Sequence, residues 1–248
     1  MESKLKLKGK TALVTASSTG IGRAISVAIA ANGGRVGLVA RSLDGLKKTQ
    51  EIIHKKGGEA EIFVADLRDQ KAIDGLVDEV QKKWGSVDII VNAAGVWHND
   101  KIVYAGVPLA DTPDEQINEV LDVGIRAPFL LTRRLLPNMI KKKQGKILQI
   151  SGTFESGASG WLHYYVSKKA IEHFTIGLSE ELRPYLIQVN AISPSDTYTE
   201  AYRRFFTNAN EKECVKPEEI ADLAVFLLSE DADNITGQVI TIRSKFAK

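Results

Sequence analysis

Short apolar runs alternate with amphipathic stretches along the whole chain. Thr11 to Thr15 reads as a buried strand, and the small residues Ala16 to Gly22 break it. Ile21, Ala24, Ile25, Ala28 and Ile29 then share one helical face, which Asn32-Gly33-Gly34 ends. Val36 to Ala40 is a second strand. The rhythm repeats with a helix over 43–56, a strand over 60–65 ending at Asp66, a helix over 69–84 and a strand over 87–91 ending in Asn92-Ala93-Ala94-Gly95. Thr112-Pro113-Asp114-Glu115 supplies N-cap, N1 and N3 signals for a bent helix reaching about residue 143. A strand over 146–150, a helix through Tyr164, a strand over 187–192, a helix over 218–229 and a strand over 239–242 complete the pattern. Seven strands alternating with helices predict an α/β fold: one doubly wound, mostly parallel seven-stranded sheet flanked by helices on both faces. No linker or repeat divides it, so residues 1–248 form one domain.

Composition narrows the function. The 33 basic and 31 acidic residues balance, which gives no bias toward polyanions. The lysines at 4, 6, 8 and 10 read as a strand edge and Lys141 to Lys143 as a solvated helix end, so no nucleic acid is expected. One cysteine, Cys214, excludes an internal disulfide and a multi-cysteine metal site. His98 and His163 lack ligand spacing, so no metal is expected. No secretory signal opens the sequence and no apolar run reaches membrane-spanning length, which points to a soluble cytoplasmic protein without a membrane partner.

Two stretches carry chemistry. Tyr164 and Lys168 lie one helical turn apart, on one face. An ammonium near a phenol favours the phenolate, so the pair predicts a tyrosine tuned to exchange a proton with a hydroxyl or carbonyl oxygen. Upstream, where the 146–150 run ends, the Ser151 hydroxyl is placed to hold the same oxygen. Tyr165 with Lys169 fits the same spacing, and the segment Val166-Ser167-Lys168 favours Tyr164. The second stretch is the strand, small-residue turn and helix at the start, the opening that presents helix N-terminal amides to a pyrophosphate. Its spacing is T-G-x-x-x-G-x-G, with Ala16 where the first glycine would stand.

The punctuation, taken in order, resembles the short-chain dehydrogenases/reductases over essentially the whole length. Thr15-Ala-Ser-Ser-Thr-Gly20-Ile-Gly22, Asp66-Leu67, Asn92-Ala-Ala-Gly95, Ser151, Tyr164-x-x-x-Lys168 and Pro194-x-x-x-x-Thr199 all fall in family order. The resemblance implies an extended Rossmann-type domain that binds NAD(P)(H) and moves a hydride to or from a small-molecule alcohol or carbonyl. Tyr164 would be the general acid/base, Ser151 would hydrogen-bond the reacting oxygen, and Lys168 would hold the nicotinamide ribose. Thr15, Ser17, Ser18, Thr19, Gly20, Ile21, Gly22, Arg41, Ser42, Asp66, Leu67, Asn92, Gly95, Pro194, Thr197 and Thr199 would line the cofactor with Tyr164 and Lys168. It implies a homodimer or homotetramer through helices near 113–143 and 164–185. The family's NAD users place an aspartate at the position of Ala40. Here Arg41 follows an alanine, and a guanidinium beside a 2′-phosphate is a charge-assisted pair, so NADP(H) is expected rather than NAD(H).

Four departures stand out. Ala16 replaces a turn glycine, and Gly124 stands where the family has the asparagine of its catalytic tetrad. Ser195 and Thr197 replace a glycine and an aliphatic residue after Pro194. The catalytic serine itself has two readings: spacing from Tyr164 selects Ser151, whereas alignment of the strand places Gly152 there. Residues 96–111 and 195–215 would line the mouth, with Trp97, His98, Tyr104, Tyr198, Tyr202, Phe205 and Phe206; Phe154, Trp161 and His163 add to them. Aromatic walls suit a flat or hydrophobic carbonyl compound.

Overall fold

Every strand of the sheet runs parallel to its neighbours, in the order β3-β2-β1-β4-β5-β6-β7. The strands are β1 Thr11–Thr15, β2 Arg35–Ala40, β3 Glu59–Val64, β4 Ile89–Asn92, β5 Gly145–Ile150, β6 Ile187–Pro194 and β7 Val239–Ile242. The helices are α1 Gly20–Ala31, α2 Leu43–Lys55, α3 Gln70–Trp84, α4 Asp114–Leu121, α5 Ala127–Lys142, α6 Leu162–Leu182, α7 Glu200–Phe205 and α8 Pro217–Leu228. The computed structural model describes residues 5–154 and 157–247; Lys4 lies outside them.

The alternation inside each strand feeds two cores. Ala12, Val14, Val36, Leu38, Ile89 and Val91 meet α1, α2 and α8 on one face. Leu13, Val39, Phe63, Ile90 and Ile147 meet α3, α5 and α6 on the other. Burial on both faces explains why the strands read as continuous apolar runs. The chain reverses its winding between β1 and β4, and at such a switch point the carboxyl ends of the strands frame a crevice.

Several local expectations need correction. Residues 6–9 form a turn instead of a strand edge, and Lys6 pairs with Asp231 at 2.8 Å. Thr112 does not cap α4: its hydroxyl donates to the Pro108 carbonyl at 3.0 Å, and the helix opens at Asp114 after Pro113. The expected bend falls at Asp122–Arg126, a π-helical turn joining α4 to α5. Its Gly124 lies against α6: a Cβ there would stand 3.0 Å from the Ser167 side chain. Glycine permits that approach.

Candidate active site

The carboxyl ends of β1, β4, β5 and β6 bring the predicted residues to one edge. At β1 the backbone turns through Ala16, with φ +56°, and Gly20, with φ +54°. An alanine held there costs about 1 kcal/mol relative to an ordinary conformation. Gly22 has no alternative, because a Cβ would lie 2.3 Å from the Ala16 carbonyl oxygen. Thr19 sits at the N-cap of α1 without a side-chain capping bond; its hydroxyl goes to Glu200 of α7 instead. The first-turn amides of α1 are therefore left to an incoming anion. Ser17 is buried, donates to the Val14 carbonyl at 2.6 Å and braces the turn. Thr15 accepts from the amides of Ala93 and Ala94 at 3.0 and 3.1 Å, fixing β1 to the segment after β4.

At the ends of β2 and β3 lie Arg41, exposed, and Asp66, whose carboxylate accepts from Arg68 at 2.6 and 3.0 Å. That guanidinium holds the Asp66 carboxyl below its ordinary range. Arg41 and Arg68 both reach Glu119 on α4, at 3.6 and 3.1 Å. Ser42 caps α2 by accepting from the Gly45 amide at 3.2 Å, and Leu67 is buried. Thr199 caps α7 and packs 3.2 Å from the place a Gly20 Cβ would take. Asn92 is buried and donates to the Thr132 hydroxyl at 3.2 Å. The Thr197 hydroxyl donates to the Ser195 carbonyl at 2.9 Å, beside the end of β6 at Pro194.

Tyr164 and Lys168 are brought together. Lys168 is buried, its Nζ 5.4 Å from the Tyr164 ring centroid and donating to the Ile150 carbonyl at 3.0 Å. Gly95 closes over the ammonium, where a Cβ would come within 3.0 Å of it. Lys169, by contrast, pairs with Glu172 at 2.9 Å, and Tyr165 packs edge-on against Phe154. Of the two pairs, the one that the sequence selects holds the buried lysine, beside a half-buried Tyr164. Phe154 and Trp161 flank the Tyr164 ring at 5.7 and 5.9 Å and form the wall of the site. Trp97, His98, Phe205 and Phe206 instead fasten the two mouth segments together, with centroids 4.9 to 6.1 Å apart. His163 is buried, which pushes its pKa down, and its Nε2 has no partner among the described residues.

Burial dominates the titration of the pair. It pushes Tyr164 well above its ordinary value, opposite to the downward tuning expected from Lys168. It also lowers Lys168 to about 8, with Glu172 opposing. An unfolded lysine titrates near 10.5, so between pH 8 and 10.5 the unfolded chain binds one more proton than the folded one. Stability from this group therefore rises with pH through that window, and a penalty of roughly 3 kcal/mol is fully present below pH 8. Tyr164 acts in the opposite sense only above about pH 10. Urea titrations at pH 8 and pH 10 should show that rise in the native protein and a flatter profile in Lys168→Met. Equal slopes would remove Lys168 as its source.

Ser151 and Gly152 take different sides. The Ser151 hydroxyl has one proton, directed to Glu172 at 2.7 Å and to the Lys168 carbonyl at 3.1 Å. Glu172 also lies 3.3 Å from the Ser193 hydroxyl. A Cβ on Gly152 would look into the space between Lys168 and Pro194, 3.9 and 4.0 Å away.

A family model described as short chain dehydrogenase matches residues 10–210. The chain belongs to the short-chain dehydrogenase family. The uncharacterized oxidoreductase YmfI of Bacillus subtilis is 35% identical, with 94% of this chain and 97% of that protein covered. The 3-oxoacyl-acyl-carrier-protein reductase of Aquifex aeolicus is 33% identical over 96% of this chain and 97% of its own length. Among solved structures, a gluconate 5-dehydrogenase described as putative, from Beutenbergia cavernae with bound NADP, superposes with a TM-score of 0.86 at 30% identity, covering 98% of both chains. A 3-ketoacyl-acyl-carrier-protein reductase from Brucella melitensis complexed with NADH reaches 0.86 at 26% identity, over 98% of this chain and all of that one. The dehydrogenase family is one of oxidoreductases that bind NAD(P)(H), and the uncapped α1 amides, the Gly22 contact and the close approach of Gly95 to Lys168 fit such a dinucleotide. Among the described residues, no helix is long and apolar enough to cross a membrane. Sequence reading missed Glu119, Arg68, Glu172 and Glu200. Only Arg68 left a local signal, two residues beyond a strand-end aspartate.

Proposed function

We propose that this chain is an NADP(H)-dependent oxidoreductase acting on an alcohol or carbonyl compound, with Tyr164 as general acid/base. The observation that carries the reading is the buried Lys168 ammonium beside Tyr164, under an aromatic wall at the strand ends. The cofactor supplies the hydride. The chain's own residues hold the nicotinamide end through Lys168 and Gly95, exclude water with Phe154 and Trp161, and present a proton on the Tyr164 hydroxyl. Burial keeps that phenol neutral, the form that gives a proton to a carbonyl oxygen when the substrate is reduced.

Arg41, with no carboxylate at Ala40, supports NADP(H). NADPH should bind at least about tenfold more tightly than NADH, and Arg41→Ala should abolish most of that ratio. Fluorescence titration of both nucleotides measures it, and equal or tighter NADH binding would reverse the assignment.

Gly152 faces the cleft, and Ser151 supports the site from behind by tying β5 to Glu172. Ser151→Ala should therefore change turnover by less than about threefold. It should lower stability by about 1 kcal/mol, because the partly exposed Glu172 carboxylate loses one of its donors and keeps Lys169. A fall of roughly a hundredfold in kcat would return Ser151 to the reacting oxygen.

The arrangement also favours a second reading, an NADP(H)-binding sensor. With Gly124 and Gly152, two positions that the family resemblance assigns to catalysis lack side chains. A panel of ketones, sugars and diketones with NADPH, followed at the nicotinamide absorbance, separates the two. Tight binding with no turnover across the panel favours the sensor. Exposed Phe129 on α5, stacked on Phe174 of α6, and exposed Leu162, Val166 and Ile176 support assembly through these helices.

A further inference from the structure

Glu119 lies one turn ahead of the π-helical turn, with its side chain 14% exposed. One carboxylate oxygen faces two guanidinium groups, Arg68 at 3.1 Å and Arg41 at 3.6 Å. The other accepts the Tyr104 hydroxyl at 2.8 Å. Arg68 is already held by Asp66, so two arginines meet two carboxylates and the cluster is neutral before any ligand arrives. Tyr104 belongs to the mouth segment and is buried with Val96, Val120 and Val123 against Tyr164.

We infer that Glu119 is a specificity-determining residue, a carboxylate that opposes a 2′-phosphate at Arg41 while anchoring the mouth segment through Tyr104. The inference rests on the NADP(H) reading of Arg41. A phosphate drawn to Arg41 must share its guanidinium with Glu119 and bring negative charge close to a carboxylate, whereas an adenosine ribose without that phosphate meets no such repulsion. Glu119 thus limits how strongly the chain discriminates between the two dinucleotides. Its grip on Tyr104 explains why a carboxylate is kept beside an arginine that is to receive an anion.

Calorimetric titration with adenosine 2′,5′-bisphosphate and with AMP tests this on the native chain, Glu119→Gln and Tyr104→Phe. Glutamine keeps the acceptor for Tyr104 and removes the charge. Glu119→Gln should tighten the bisphosphate by about tenfold with AMP changed less than about twofold, and Tyr104→Phe should move neither. In an Arg41→Ala background the gain from Glu119→Gln should shrink to less than about threefold, since the guanidinium it competes for is gone. An unchanged or lowered bisphosphate-to-AMP ratio in Glu119→Gln, in a protein with a native melting curve, overturns the inference. Should Glu119→Gln melt early, Glu119→Asp, which draws the charge back by one methylene, replaces it, and an unchanged ratio there has the same force. A native chain with no preference for the bisphosphate overturns the NADP(H) reading instead, while a raised ratio in Glu119→Gln still supports the role of Glu119.

Discussion

Tyr164→Phe is expected to lower turnover by about 10²–10⁴ and to leave NADPH affinity within about twofold of the native value. Phenylalanine fills the same space between Phe154 and Trp161 and keeps the ring beside Lys168. Only the hydroxyl is lost, and with it the transferable proton. Burial raises the Tyr164 pKa, and phenylalanine suits that surrounding at least as well, so the fold is expected to be retained. The loss should appear in kcat and in kcat/KM alike, the signature of a group used in the transition state and not in holding the substrate. Retained activity in the variant would place the acid/base elsewhere.

Gly22→Ala is expected to weaken NADPH binding by more than about a hundredfold and to destabilise the protein by about 3 kcal/mol or more. The added methyl would meet backbone on every side: the Ala16 oxygen at 2.3 Å, its carbonyl carbon at 2.7 Å and the Thr15 oxygen at 2.8 Å. No side chain can swing away to make room. The turn and the start of α1 must part, and Ala16 already occupies a left-handed conformation with little freedom to adjust. Separation of these two elements dismantles the amide cradle. A thermal melt and a nucleotide titration on the same sample check both halves, and native-like values in either would contradict the contact.

The fold was legible because its central strands are buried on both faces and its first three helices carry apolar stripes ended by glycines. Boundaries moved by a residue or two where backbone pairing, invisible to periodicity, set the limit; β6 continues through Pro194, for example. Tyr164 with Lys168 could be found because both lie on one helix, at a spacing fixed by its pitch. The sign of the Tyr164 shift could not, since burial depends on tertiary packing, with Phe154 against the ring from the loop after β5. The same distance effect hid Glu119, whose partners Arg41, Arg68 and Tyr104 come from three separate stretches. Counting from Tyr164 selects Ser151 and aligning the strand selects Gly152, because counting carries no information on which way each residue faces; the Ser151 contact to Glu172 comes from a helix 21 residues away.

The π-helical turn between α4 and α5 works as a phase setter. Each helical residue advances the chain by about 100°, so the extra residue held in Asp122–Arg126 rotates α4 relative to α5 by about that amount. With this offset α4 turns Val120 and Glu119 toward the mouth while α5 turns Leu131 and Leu135 toward the sheet. The chain can therefore dispense with a side chain at Gly124 but not with the residue. Deletion of Gly124 would straighten the helix, swing Glu119 away from Tyr104 and both arginines, and take Val120 out of the cluster beside Tyr164. A glycine that contributes no functional group still holds the count by which the two ends of the cleft stay in register.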